Sequence, residues 1–397
     1  MEWAGATGTA GLEAFLQQQS ARLGAFHSLQ GQYAEVAGKP FMRITFPIGS
    51  AASVQAGENQ AAILQRGLSF STSLTQGPFR LQNFTDKSVD YLVQDAENVL
   101  HLIHEEQVVF SYQIEGQLVS PVYQIDYYQN GKLQMLFATA EAVHVLDRLG
   151  NTVEAFPLTL PGQGKITHLS LVDYDRNKNY RYFLGTSSGE LFLMDKRGTL
   201  LEGWDPISLS APLAAAPQHH RIPGLGDRMV ALTQDGQVYI FNRRGEPQAG
   251  SPVSVNAVLG TDYGLVLRGQ ASDSRLTTVS EGGEVLQVNF KGEVAYRNQL
   301  AKPDAEVNFQ LLPDNLGDRF LFLVQSFGRI TVMDQEQAPL FEIPSYSEDV
   351  DFKFYNFGKE ASILVLLDKT QEFVYIYNLR GEMMHTLPLA GSTWQSQ

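Results

Sequence analysis

Oxygen-bearing side chains at alternating positions are what a short loop needs to wrap a hard cation, and the chain offers them in Asp173-Tyr174-Asp175-Arg176-Asn177-Lys178-Asn179. Asp173, Asp175, Asn177 and Asn179 would be the ligands, and calcium the ion. The run departs from a complete calcium loop in two places: Lys178 stands where a turn glycine belongs, and Arg181 where a last acid belongs. Either calcium binds here, or the segment is an Asx-type turn whose carboxylates are held by Arg181 in place of the ion. Asp126–Gly131 has the same look with fewer ligands. No other cofactor is expected.

A second set is Tyr346, Glu348, Asp349 and Asp351. An acidic and aromatic cluster of this kind would receive a basic segment of a partner protein, or else is a solvated loop. His219-His220 sends its two side chains to opposite sides of a strand, which suits hydrogen bonding better than one shared metal. Gly185-Thr186-Ser187-Ser188-Gly189 matches the G-x-S-x-G string. A strand follows it where a nucleophile elbow requires a helix, so it reads as a turn. Gly162-Gln163-Gly164-Lys165 lacks the spacing of a phosphate loop. With no cysteine, thiolate catalysis, disulfides and cysteine-held metals are excluded together.

The elements that position these residues form a repeat. The polar positions His104, Asp147, Asp195, Asn242, Asn289, Asp334 and Asn378 recur every 43–48 residues. Gly150, Gly198, Gly245, Gly292 and Gly381 follow five of them at the third place, as a three-residue β-hairpin loop with a bulge requires. Glutamine replaces the glycine at 107 and 337, so the first and sixth turns are expected to be looser. Arg243-Arg244, within the fourth turn, reads as a solvated pair. Upstream of the turns runs an aliphatic column (Leu100, Val143, Leu191, Val238, Val285, Ile330, Val374), and a second hairpin keeps the same period at 186–189, 233–236, 280–283 and 325–328.

Four short strands per period, burial on both sheet faces and no helical periodicity define an all-β chain with the arithmetic of a seven-bladed β-propeller. In the third unit the strands should span about 166–172, 180–186, 190–195 and 199–204. An eighth, degenerate blade over residues 41–74 is the alternative, with 68–74 otherwise a closing strand beside a last strand at 382–387. Leu12, Phe15, Leu16, Leu23 and Phe26 share one helical face, giving an N-terminal helical and irregular extension over 1–66, the propeller over 67–391 and a tail at 392–397.

Composition narrows the partners. Forty-three acids against 29 bases give a net charge of -14, which disfavours nucleic acid and leaves a protein, reached through a basic segment, as the expected partner. No apolar run approaches the roughly 20 residues of a membrane span, and the first residues lack the order of a signal peptide.

Glu190-Leu191-Phe192-Leu193-Met194-Asp195-Lys196-Arg197-Gly198 resembles the repeats of quinoprotein-type propellers, a group that includes the scaffold lipoprotein of outer-membrane assembly. That resemblance implies a binding platform without enzymatic activity. The vicinal cysteines of the alcohol-oxidising members are missing, so quinone chemistry is not implied. The runs Val93-Gln94-Asp95, Gln124–Gln134, Asp173-Tyr174-Asp175 and Pro217-Gln218-His219 resemble, over about 68–391, the C-terminal half of a family of uncharacterised, membrane-anchored bacterial envelope proteins. What this implies is a periplasmic or envelope location. The resulting expectation is a non-catalytic protein-binding scaffold using propeller loops and channel mouth. Its alternative is a carbohydrate-active or small-molecule enzyme with a carboxylate site at the central channel.

Overall fold

A computed structural model describes residues 30–36, 39–45, 70–162, 164–248, 250–358, 361–384 and 389–390. Seven antiparallel sheets follow one another along the chain, each a meander whose strands pair in sequence order. Blade 1 comprises Leu74–Gln82, Val89–Asp95, Val99–His104 and Gln107–Gln113. Blade 2 has three strands, Tyr123–Ile125, Gln134–Ala138 and Val143–Leu146, with single bridges Leu146↔Thr152 and Val143↔Leu158 along its outer edge. Blades 3 to 7 begin at Ile166, Gln218, Gly264, Asn308 and Val350, and each has four strands.

The aliphatic column is the reason these segments fold as stacked sheets. Leu100, Val143, Leu191, Val238, Val285 and Ile330 are all 0% exposed. Each contributes about 1.5–3 kcal/mol by leaving water. Six apolar clusters hold the disc, each shared by two consecutive blades from 1/2 to 6/7. First strands of neighbouring blades adjoin, as in the parallel bridge Asp314↔Phe354, so they are the inner strands.

The repeated turn is held by its polar residue. In blades 2 to 7 the Oδ1 of Asp147, Asp195, Asn242, Asn289, Asp334 or Asn378 accepts backbone N–H groups two and four residues on, all at 2.8–3.1 Å. The sixth turn is therefore not loose: Gln337 takes the left-handed conformation at φ 67° and Asp334 closes the turn as elsewhere. The first turn is shorter rather than looser. His104 pairs directly with Gln107, and Glu105 and Glu106 make a two-residue turn with φ of 44° and 67°.

Three other expectations change. In blade 3 the fourth strand is Ile207–Ser208, not 199–204. After the bridge Met194↔Leu200 the chain leaves the edge to bury Trp204 completely between Phe183 and Phe241, its Nε1 donating to the carbonyl of Arg243 in blade 4 at 3.0 Å. Residues 70–73 are not strand and Leu74 opens the first strand of blade 1, so the described part of 68–74 does not close the last blade; there Leu389–Ala390 pairs with Phe373–Val374, while part of the strand expected at 382–387 lies outside the described residues. Among the described residues there are seven blades and no eighth: of the stretch 41–74, Phe41–Thr45 pairs with Gln30–Val36 in a two-stranded sheet and Leu74 belongs to blade 1. The strand at 30–36 also replaces irregular chain within the expected extension, whereas the helix expected over Leu12–Phe26 lies outside the described residues.

An antiparallel meander places alternate loops at opposite ends of the disc. One end carries the loops between first and second strands and the turns between third and fourth. It is called the turn end below. The other, the hairpin end, carries the second-to-third-strand hairpins and the blade-to-blade connections.

Candidate functional site

The Asp173–Asn179 loop lies at the turn end, against blade 4. Asp173 accepts the backbone N–H groups of Asn177 and Lys178 at 3.1 and 2.9 Å, and Asn177 Oδ1 accepts that of Asn179 at 3.1 Å, so much of the loop's oxygen is used to shape an Asx turn. Asp175 turns to blade 4, where Arg243 and Arg221 approach it at 3.1 and 3.7 Å. Lys178 crosses to the equivalent loop of blade 2, its Nζ 2.6 Å from the buried Asp126. Arg181 donates to the carbonyl of Asn179 and lies over the ring of Tyr174 at 5.1 Å. The guanidinium clamp on Asp175 thus comes from the next blade rather than from Arg181.

Asp227 is the hub of this junction. It meets Arg243 at 2.5 Å, His219 at 2.7 Å and Arg221 at 3.0 Å. Burial pushes its carboxyl up, but the hydrogen bonds from Arg221 and His219 and the charge of Arg243 outweigh that and hold it at about 2. Arg243 also covers the ring of Tyr174 at 4.4 Å. The Arg243-Arg244 pair is therefore divided: Arg244 is exposed, while Arg243 joins two blades. Gly245 and Gly203 are required beside it, because a Cβ on either would strike the backbone of the facing turn, and both have φ near 80° (74° and 83°).

The hairpin end of blades 6 and 7 is built differently. Tyr346, on the connection between them, is 75% exposed, and Phe327, at the hairpin tip of blade 6, is 84% exposed. Their rings meet edge to face with centroids 5.9 Å apart. Glu348 and Asp349 are exposed beside them, and Lys369 bridges Asp349 and Asp351 at 3.1 and 3.0 Å. The backbone under this edge is anchored: Gln325 Nε2 donates to the carbonyl of Ser347 at 3.1 Å, and Ser347 Oγ to buried Asp368 at 2.6 Å. An exposed aromatic pair on a fixed base is chemically suited to apolar contact with another molecule.

Solved structures share this fold. The chain is similar to Sqt1 of Saccharomyces cerevisiae, at 12% identity over 82% of this chain and 88% of that one, with a TM-score of 0.57. More distant likenesses are BBS1N, solved in complex with ARL6DN (17% identity, 75% and 90% of the two chains, TM-score 0.48), and BamB from Moraxella catarrhalis (11%, 75% and 78%, TM-score 0.44). At these identities the comparison speaks for the fold alone. No family model and no curated protein matches the sequence.

The remaining sequence candidates fall into place. His219 and His220 point apart, to Asp227 and to Tyr263 Oη at 2.8 Å, and burial lowers the pKa of His220 to about 4. Gly185–Gly189 is the hairpin between Arg181–Thr186 and Glu190–Asp195, where Ser188 Oγ donates to Glu190 at 2.8 Å. A wide-open depression of about 530 Å³ lies there, lined by Gly164, Ser187, Ser188, Glu190 and Ser208. Asp262, on the connection into blade 5, is solvent-accessible yet crowded enough that burial raises its carboxyl, eased by one backbone N–H from Tyr263. No second acid contributes to that shift.

Phe327 was the residue hardest to find from sequence. The signal is in the repeat: after the polar end of each second strand stand Ala96, Ala140, Ser187, Gln234, Glu281, Phe327 and Lys369. Phenylalanine is the large apolar exception.

Proposed function

We propose that this chain is a non-catalytic protein-binding scaffold of the bacterial cell envelope, engaging its partner through the loops and channel mouth of the hairpin end. The observation that carries the reading is the exposed Phe327–Tyr346 pair. Aromatic side chains are over-represented among the residues that dominate protein interfaces, and large apolar groups left in water on an otherwise polar rim mark contact sites. The envelope location rests on the resemblance of the quoted sequence runs. No helix among the described residues is long and apolar enough to cross a membrane.

The test is a photo-crosslinking side chain placed at position 346, and separately at position 244 on the turn end, in cells that express the full chain. The expected result is a discrete protein adduct in the envelope fraction from 346 and none from 244. Absence of any adduct from 346, or adducts from 244 alone, would overturn the assignment.

Within this reading the Asp173–Asn179 loop is a structural clamp, with Asp175 matched by two arginines. Calcium should then leave the melting temperature unchanged. A rise on titration would instead establish Asp173, Asp175, Asn177 and Asn179 as an ion site.

A further inference from the structure

We infer that the segment received by the Phe327–Tyr346 edge is cationic as well as apolar: a stretch of partner chain in which a hydrophobic or aromatic side chain is flanked by Lys or Arg. The inference rests on the scaffold reading and adds the chemistry of the partner.

Charge supplies the first argument. The seven second-to-third-strand turns and six blade-to-blade connections of the hairpin end hold eleven Asp and Glu against Lys165, Lys302 and Lys369. Two of those three lysines are already engaged, Lys165 with Glu141 at 2.5 Å and Lys369 with Asp349 and Asp351. Glu348 stands exposed two residues from Tyr346. A surface so biased steers a basic segment toward it and repels an acidic one.

The rings supply the second argument. Aromatic faces attract Lys and Arg as well as apolar groups, so one pair of side chains can receive both halves of such a segment. The pair is also held ready. Gly328 lies under Tyr346, where a Cβ would come within 3.2 Å of its ring, so the missing side chain lets the ring lie against the hairpin. Two rings already resting on each other lose little freedom on binding.

A random peptide library displayed on phage and selected on the immobilised full chain tests this. Enriched peptides should pair an apolar residue with neighbouring Lys or Arg, weaken as salt is raised, and lose about tenfold or more in affinity on Phe327→Ser. Tyr346→Ser should act in the same direction, and thermal melting of both variants should match the parent. Enriched peptides that are acidic or uncharged would overturn the inference, as would binding indifferent to Phe327→Ser. The first outcome leaves the scaffold reading at this edge with a different partner chemistry; the second moves binding off the Phe327–Tyr346 pair. Failure to enrich any peptide would overturn both.

Discussion

The junction of blades 3 and 4 and the hairpin-end edge of blades 6 and 7 draw on the same residue types and use them in opposite directions. At the junction, Tyr174, Arg221, Asp227 and Arg243 are spent on one another across a blade boundary, and Trp204 beneath them is sealed from water. At the edge, Phe327 and Tyr346 rest on each other while Glu348 faces solvent. Charged and aromatic residues therefore carry no functional meaning by type. What distinguishes a site from a staple is whether the neighbouring blade already satisfies it.

The sharpest way to break the contrast is to remove the staple. Trp204→Ala should cost about 3–5 kcal/mol in urea unfolding, because it empties a fully buried site and orphans the Arg243 carbonyl. Asp227→Asn should cost less, about 1–2 kcal/mol after allowing for solvent around the arginines, measured the same way. Acid separates two contributions further. His144 and His220 have folded pKa values of about 4, below the ordinary 6.5, so the native state takes up protons less readily than the unfolded chain. Stability should accordingly fall as pH drops from about 6.5 to about 4, and His220→Gln should flatten that slope in melting curves. The lowered carboxyl of Asp227 acts in a later window: its contribution is complete above 3.8 and is lost as pH falls towards about 2. Asp227→Asn should remove this second loss and, by taking away the carboxylate that opposes burial at His219, steepen the first one slightly. The smallest effect belongs to the edge, where Phe327→Ser should change unfolding free energy by no more than about 0.5 kcal/mol. A large loss there would turn the edge into a second staple.

The repeat was legible in the sequence because a turn that reuses one Oδ1 acceptor and one left-handed residue constrains residue type locally. Asp195 and Gly198 announce their geometry without reference to the rest of the chain. Gln337 shows the limit, since the backbone there tolerates a side chain at φ 67° and the turn survives without glycine. The site was legible only in part. Tyr346, Glu348, Asp349 and Asp351 are contiguous enough to be noticed together, but Phe327 reaches Tyr346 from a hairpin 19 positions earlier. The Asp175 clamp escaped for the same reason. Arg243 lies 68 positions away, and nothing in a turn sequence says which blade its side chain will grip.

The uninterrupted order of strands within each blade also bears on how the molecule forms. Every pairing in blade 3 joins residues no farther apart than Ile166 and Thr186, and the other four-stranded blades are drawn from similarly short stretches. Sheet proteins are usually slow to fold because distant segments must find one another before any contact rewards the search. Here each sheet can close on itself from its own stretch of chain, leaving an apolar face onto which the next blade can dock. The chain behaves less like a sandwich that must assemble at once than like a stack growing from one end, curved by its own geometry into a disc.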